Sequence, residues 1–179
     1  MRTTDAKDKV ADALESLLSA GSADKISVST IADAAEISRQ TFYYHFQNVF
    51  DVYRYTLEQA MPDPNEKGLT PPDAIASVCG TMKKYPNMTH AFIHKTFRRD
   101  TIEILIEYLT HVVRRYISDK YGWTDPAQNP DDVPRFFATG YVCIIMRWAD
   151  DDMKNDVAAR IDKINQGLSS FHSYCAQKP

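Results

Sequence analysis

Apolar residues recur at spacings of three and four along nearly the whole chain, and no stretch alternates apolar with polar for long enough to mark a half-buried strand. The pattern predicts an all-α protein. Val10, Leu14, Leu17 and Leu18 share one face of a helix from about Asp5 to Ala20, with Gly21 as its stop. Ser27 caps a short second helix carrying Ile31, Ala32 and Ala35, Ser38 caps a third, and Asn48 caps a fourth that ends near Met61 and Pro62. The run PDPNEKGLTPPD from Pro62 is rich in proline and polar residues and reads as a linker. Beyond it, helices are predicted over Asp73–Tyr85, Asn87–Phe97 and Asp100–Tyr121. After the loop GWTDPAQNP, two more cover Asp131–Ala149 and Met153–Gln177, with Asp151 or Asp152 capping the last. The expected organisation is a small domain over 1–61, a linker over 62–72 and a larger helical domain over 73–179.

Composition adds limits. A hydrophobic content of 44% and a charged content of 25% suit an ordinary soluble globular chain of 179 residues. The longest uninterrupted apolar run, Tyr141 to Met146, falls far short of a bilayer span, and the first residues are charged. The expectation is a cytoplasmic protein with no membrane segment. Cys79, Cys143 and Cys175 are widely separated, which predicts reduced thiols and neither a zinc ribbon nor a redox pair. Net charge is −3, and the first sixty residues hold six Lys/Arg against nine Asp/Glu. That balance argues against a broad surface for polyanions and leaves room for a local patch.

The stretch ISRQTFYYHFQN concentrates four aromatic rings and a histidine beside Arg39, Gln40 and Thr41. It closes a pair of short helices, Ser27 to Phe46, joined by a tight turn at Glu36 and Ile37, with small Ala32 and Ala35 allowing close crossing. That is the spacing of a helix-turn-helix. Phe42 and Phe46, four apart, face inward and leave Arg39, Gln40, Thr41, Tyr44 and His45 on other faces. Arginine can bond two acceptors on guanine, glutamine can do so on adenine, and a threonine methyl can touch the thymine methyl. Tyr43, Tyr44 and His45 fit phosphate contacts and packing. The same pattern also suits a plain amphipathic helix pair, with core rings and a solvated polar face.

The segment VSTIADAAEISRQTFYYHFQNVFDVY resembles the DNA-binding domain of the TetR family of transcriptional regulators. Ile31, Ala32, Ile37, Ser38, Thr41, Phe42, Tyr43, His45 and Phe46 occupy the places of that family's pattern. The wording RQTFYYHFQN is also similar to regulators associated with dihydroxyacetone kinase operons. The resemblance implies a helix-turn-helix domain followed by a larger helical domain for ligand binding and dimerisation. It places Ser27 and Ser29 near phosphate, Arg39, Gln40 and Thr41 at base edges, and Tyr43, Tyr44 and His45 on the DNA backbone. It implies a homodimer on a near-palindromic operator in double-stranded DNA, repression by default, release by a small-molecule effector, no cofactor and no enzymatic activity. Two positions depart from the family pattern. Glu36 stands where the turn usually has glycine, and Val49 where lysine usually follows, which predicts weak non-specific binding and a shallow salt dependence.

In the larger domain, Phe136, Phe137, Tyr141, Ile144, Ile145 and Trp148, with Val157, Ile161, Ile164, Leu168 and Phe171, offer more apolar surface than one thin layer needs. Phe137, Tyr141, Ile144, Trp148, Ile161, Ile164, Leu168 and Phe171 are the candidate dimer contacts, and an intramolecular core is the alternative for each. Tyr85, Met88, Phe92, Phe97, Tyr108 and His111 are the candidate lining of an effector cavity, again with core packing as the alternative. His90 and His94 have the spacing of two zinc ligands, but Ala91 stands where HExxH enzymes need glutamate and no third ligand is near, so no metal site is expected. The acidic run ADDDMKND lacks the glycine and ligand spacing of a calcium loop. No GxSxG, GxxxxGK[ST] or GxGxxG motif is present. Two other functions remain beside the regulator: a co-regulator of the same fold acting through protein contacts, and an all-α enzyme.

Overall fold

The computed structural model describes residues 3–21, 26–94, 97–122 and 132–176, with helical positions 3–5, 158 and 168–176 described as backbone alone. The described residues form nine helices and no strand: α1 Thr3–Ser19, α2 Val28–Ala34, α3 Arg39–His45, α4 Val49–Ala60, α5 Pro71–Lys84, α6 Pro86–Ile93, α7 Arg98–Tyr121, α8 Asp132–Asp150 and α9 Val157–Ala176. None is long and apolar enough to cross a membrane. Past Gly122, the predicted GWTDPAQNP loop lies outside the described residues.

Local chemistry sets most boundaries. Gly21 takes φ 73° just past α1, a left-handed conformation that glycine adopts without a side-chain clash. The Asn48 side chain accepts from the Asp51 amide at 3.1 Å while the Asp51 carboxylate accepts from the Gln47 amide at 2.9 Å, so α4 starts at a reciprocal cap. α5 starts at Pro71, two residues before the predicted start, because proline fits the first turn of a helix and Thr70 caps it through the Asp73 amide. α6 stops at Ile93 rather than Phe97, with His94 as its cap. α9 starts at Val157, not Met153. Asp152, Met153 and Asn155 all have positive φ, which breaks the helical path, and Asp156 is the residue that accepts from the Ala159 amide, at 3.1 Å. The predicted caps Asp151 and Asp152 are therefore replaced by Asp156.

The chain divides into two compact units, one of Met1–Met61 with Gly80–Ile102 and the other of Pro62–Cys79 with Glu103–Pro179. The first is built on Val10, Leu14, Ile31, Phe42, Val52, Tyr53, Leu57, Met82, Met88 and Ile93, all essentially without exposed surface. It contains more than the N-terminal helices, because α6 is fastened to α1. Pro86 has no amide hydrogen, so the donors left over in the first turn of α6 are those of Asn87 and Met88. Glu15 on α1 accepts from both, at 3.0 and 2.8 Å, and from the Asn87 side chain at 2.8 Å. A carboxylate there also meets the positive end of the α6 dipole. Two further carboxylates of α1 accept from phenols, Asp8 from Tyr55 at 2.9 Å and Asp12 from Tyr85 at 3.1 Å. Burial first, and then the bond to Asp8, push the Tyr55 phenol up to about 12, which keeps it a donor.

The second unit packs Ile75, Val78, Leu105, Leu109, Val112, Ala138, Val142, Ile145 and Ile161. Its proline-rich segment is tied down on α7: Tyr108 donates to the Pro62 carbonyl at 3.1 Å and Arg115 to the Asn65 carbonyl at 3.0 Å.

Candidate nucleic-acid interface

Three capped ends and one left-handed residue shape the helix pair α2–α3. Ser27 opens α2 with a reciprocal cap, its hydroxyl accepting from the Thr30 amide at 3.2 Å while the Thr30 hydroxyl accepts from the Ser27 amide at 2.9 Å. At the other end, the Glu36 amide donates to the Asp33 carbonyl at 3.2 Å and the Ile37 amide to the Ala32 carbonyl at 2.9 Å. This pair of bonds is a Schellman motif, which requires a left-handed residue at its turn, and Glu36 supplies it with φ 55°. A residue bearing a Cβ is held there at a cost of about 1–2 kcal/mol. Glu36→Gly is therefore expected to raise stability by about 0.5–1 kcal/mol after the glycine's larger unfolded-state entropy is set against the relief. In calorimetry that is a melting midpoint about 1–4 °C higher; an unchanged or lower midpoint would show that the turn carries no strain.

Ser38 then caps α3, accepting from the Thr41 amide at 3.0 Å and sharing a hydrogen bond with the Thr41 hydroxyl at 2.8 Å. Phe42 is fully buried and Phe46 nearly so, their ring centroids 5.6 Å apart, and Phe46 meets Tyr55 edge-on at 5.8 Å. The Lys7 ammonium lies 5.9 Å from the centre of the Phe46 ring and 5.0 Å from that of Tyr55. With one face of α3 thus fixed, the other is left outward. Arg39 and Gln40 are exposed, Tyr43 is 59% and Tyr44 80% exposed, and Thr41 and His45 are half-buried. Ser27 is exposed and Ser29 half-buried at the start of α2. The Ser27 hydroxyl accepts its cap bond and the Thr41 hydroxyl shares one with Ser38, which hold both side chains in place. Val49, half-buried, begins α4.

The candidate effector lining is divided between the units. Met88 and Phe92 are buried in the first, where Phe92 stacks on Tyr53 at 4.9 Å and Phe97 stacks on Phe50 at 4.7 Å. Phe50, Tyr53, Phe92 and Phe97 thus pack as one cluster of rings. Tyr85 borders a cleft of about 180 Å³ with Asp8, Tyr55, Thr56, Gln59, Thr81 and Lys84, small beside the roughly 300 Å³ and upward of usual ligand pockets. Tyr108 is buried in the second unit and His111 is exposed there.

The candidate dimer contacts also separate. Tyr141, Trp148 and Ile161 are buried within the chain, Tyr141 donating to Asn165 at 2.6 Å and Trp148 to the Asn155 carbonyl at 3.1 Å, so they have little surface left for a partner. Phe137 and Ile144 are half-buried and Ile164 is exposed, while the side chains of Leu168 and Phe171 lie outside the described residues. Phe136, already among the surplus apolar residues of α8, is 75% exposed, and Val133 is exposed beside it. Their spacing with Phe137, Gly140 and Ile144 is the signal that marks them.

The geometry is that of a helix-turn-helix domain. Residues 10–48 match the profile of bacterial regulatory proteins of the tetR family, and residues 75–170 match a profile described as a transcriptional regulator C-terminal region. The chain belongs to the TetR family of DNA-binding transcriptional regulators. A search of curated protein sequences finds no match. The solved structure of a protein described as dihydroxyacetone kinase operon activator DhaS shares the fold, with a TM-score of 0.62 over 92% of this chain and 94% of its own, at 16% identity.

Proposed function

We propose that the chain is a homodimeric repressor that recognises a near-palindromic operator through α3 and is released by a small-molecule effector. The observation that carries the DNA step is the division of α3, with Phe42 and Phe46 locked inside while Arg39, Gln40, Tyr43 and Tyr44 face out. In this reading Arg39, Gln40 and Thr41 face base edges, Tyr43, Tyr44 and His45 the backbone, and Ser27 and Ser29 adjacent phosphates. Residues 1–61 supply the DNA contacts, 62–72 connect, and 73–179 carry dimerisation and effector response. Two copies related by a two-fold axis set recognition helices about 34 Å apart, one turn of the duplex. The effector step and the sign of regulation follow the family default, although the DhaS neighbour is described as an activator.

Selection of genomic fragments on the purified, tag-free protein tests the reading. Enrichment of one near-palindrome supports it, and transcription from that promoter with and without the protein gives the sign. A second reading, a co-regulator acting through protein contacts, is favoured by the acidic balance of the first sixty residues and by Val49. It prevails if a folded dimer enriches nothing even at low salt.

Dimerisation is tested separately. In this reading Phe136, Phe137, Ile144 and Ile164 form the interface, and Phe136→Asp puts a charge at its most exposed apolar position. Light scattering is expected to give a dimer mass for the wild type and a monomer mass for the variant, with the helical circular dichroism retained and the concentration dependence of melting lost. A dimer that tolerates the aspartate would move the interface elsewhere.

A further inference from the structure

His90 and His94 stand one turn apart on α6, both exposed, with ring centroids 4.4 Å apart and planes tilted by 48°. Residues at i and i+4 share a helix face, so one ion can take a nitrogen from each ring without any change of backbone. The backbone holds both: the His94 amide donates to the His90 carbonyl at 3.1 Å, closing the last turn of α6. The first turn of the same short helix is fixed by Glu15 through the amides of Asn87 and Met88. The two donors are therefore carried on a helix that is anchored at its start and capped at its end, so an ion that bridges them need order only the two side chains. Imidazole suits copper, nickel and zinc, whereas magnesium and calcium call for oxygen donors.

We propose that His90 and His94 form a two-point site for a divalent transition-metal ion, with water completing the coordination. No group of three His, Cys, Asp or Glu side chains suited to a metal occurs among the described residues, so the site differs from a closed structural zinc centre. It binds exchangeably and keeps open positions. Ala91 stands where a hydrolytic helix would carry its glutamate, so the site holds an ion without the base that would make it a hydrolase. An ion bridging the two rings ties down the C-terminal turn of α6 and stabilises the folded chain by mass action.

The test uses the tag-free full chain, stripped of metal and titrated with nickel chloride and, separately, zinc chloride by calorimetry, with melting followed in parallel. The wild type is expected to bind and to melt higher with metal present. His90→Ala and His94→Gln are each expected to weaken binding about 100-fold or more, because the second donor no longer acts at high effective concentration, and to abolish the metal-dependent rise in melting midpoint. The metal-free midpoint of each variant is measured alongside, and the metal-dependent rise is read against it, which separates impaired ligation from impaired folding. A variant with His45, His111 and His172 all changed to alanine is expected to retain the binding. Failure of the wild type to bind either ion, undiminished affinity in both α6 variants, or loss of binding in the triple variant each overturns the proposal.

Discussion

Phe42→Ala is expected to cost about 3–5 kcal/mol of folding stability, the usual range for deleting a fully buried ring. Phe42 has no exposed surface, and its ring lies 5.6 Å from Phe46 and 5.8 Å from Tyr43. It is the side chain that fixes which way α3 faces, on a helix of seven residues too short to persist without packing. The loss would therefore appear twice, as a lower denaturant midpoint and as weaker operator binding even under conditions where most of the chain is folded. Phe42→Leu retains most of the apolar volume and should recover the greater part of both. If Phe42→Ala unfolds within about 1 kcal/mol of the wild type, which is the scale of an ordinary substitution, Phe42 is not the anchor of α3.

Arg39→Ala should leave stability nearly untouched and lower operator affinity by about 30-fold or more, because each of the two half-sites loses a bidentate arginine–guanine pair of roughly 1–3 kcal/mol. The exposed position of Arg39 at the start of α3 is what separates the two effects. Titrating a fluorescent operator duplex and a scrambled duplex over a range of salt distinguishes the roles open to the guanidinium. If it bonds a base edge, the substitution weakens binding to the operator alone and the salt slope is retained. If it pairs with phosphate, both duplexes bind more weakly and the slope is shallower by about 0.9 for each charge removed. Equal affinity of variant and wild type for the operator would remove Arg39 from the interface and leave α3 without its principal reader.

Helix-turn-helix geometry was written locally. The Ser27, Ser38 and Asn48 caps each act on an amide three residues on, so the sequence displays donor and acceptor side by side, and the structure bears out all three. The turn at Glu36 and Ile37 was legible for the same reason, and its left-handed φ follows from the need to close α2 with two crossed bonds. The final helix shows where local reading stops. Asp151, Asp152 and Asp156 are all competent caps in the same acidic run, and only the positive φ values at Asp152, Met153 and Asn155 select Asp156.

By itself the sequence determined that the chain is all-α, where most helices begin and end, and that α3 has a packed face at Phe42 and an exposed one. Helical periodicity and capping are properties of neighbouring residues, and three or four positions suffice to state them. Tertiary structure alone decided what each apolar stripe packs against. Tyr141 and Trp148 turn inward while Phe136, on the same helix, turns out, although periodicity marks all three as apolar. It likewise decided that α6 belongs with α1, through a carboxylate at Glu15 and amides more than seventy positions away. Such pairings leave no local trace, because a glutamate that caps a distant helix has the same neighbours in sequence as one that is merely solvated.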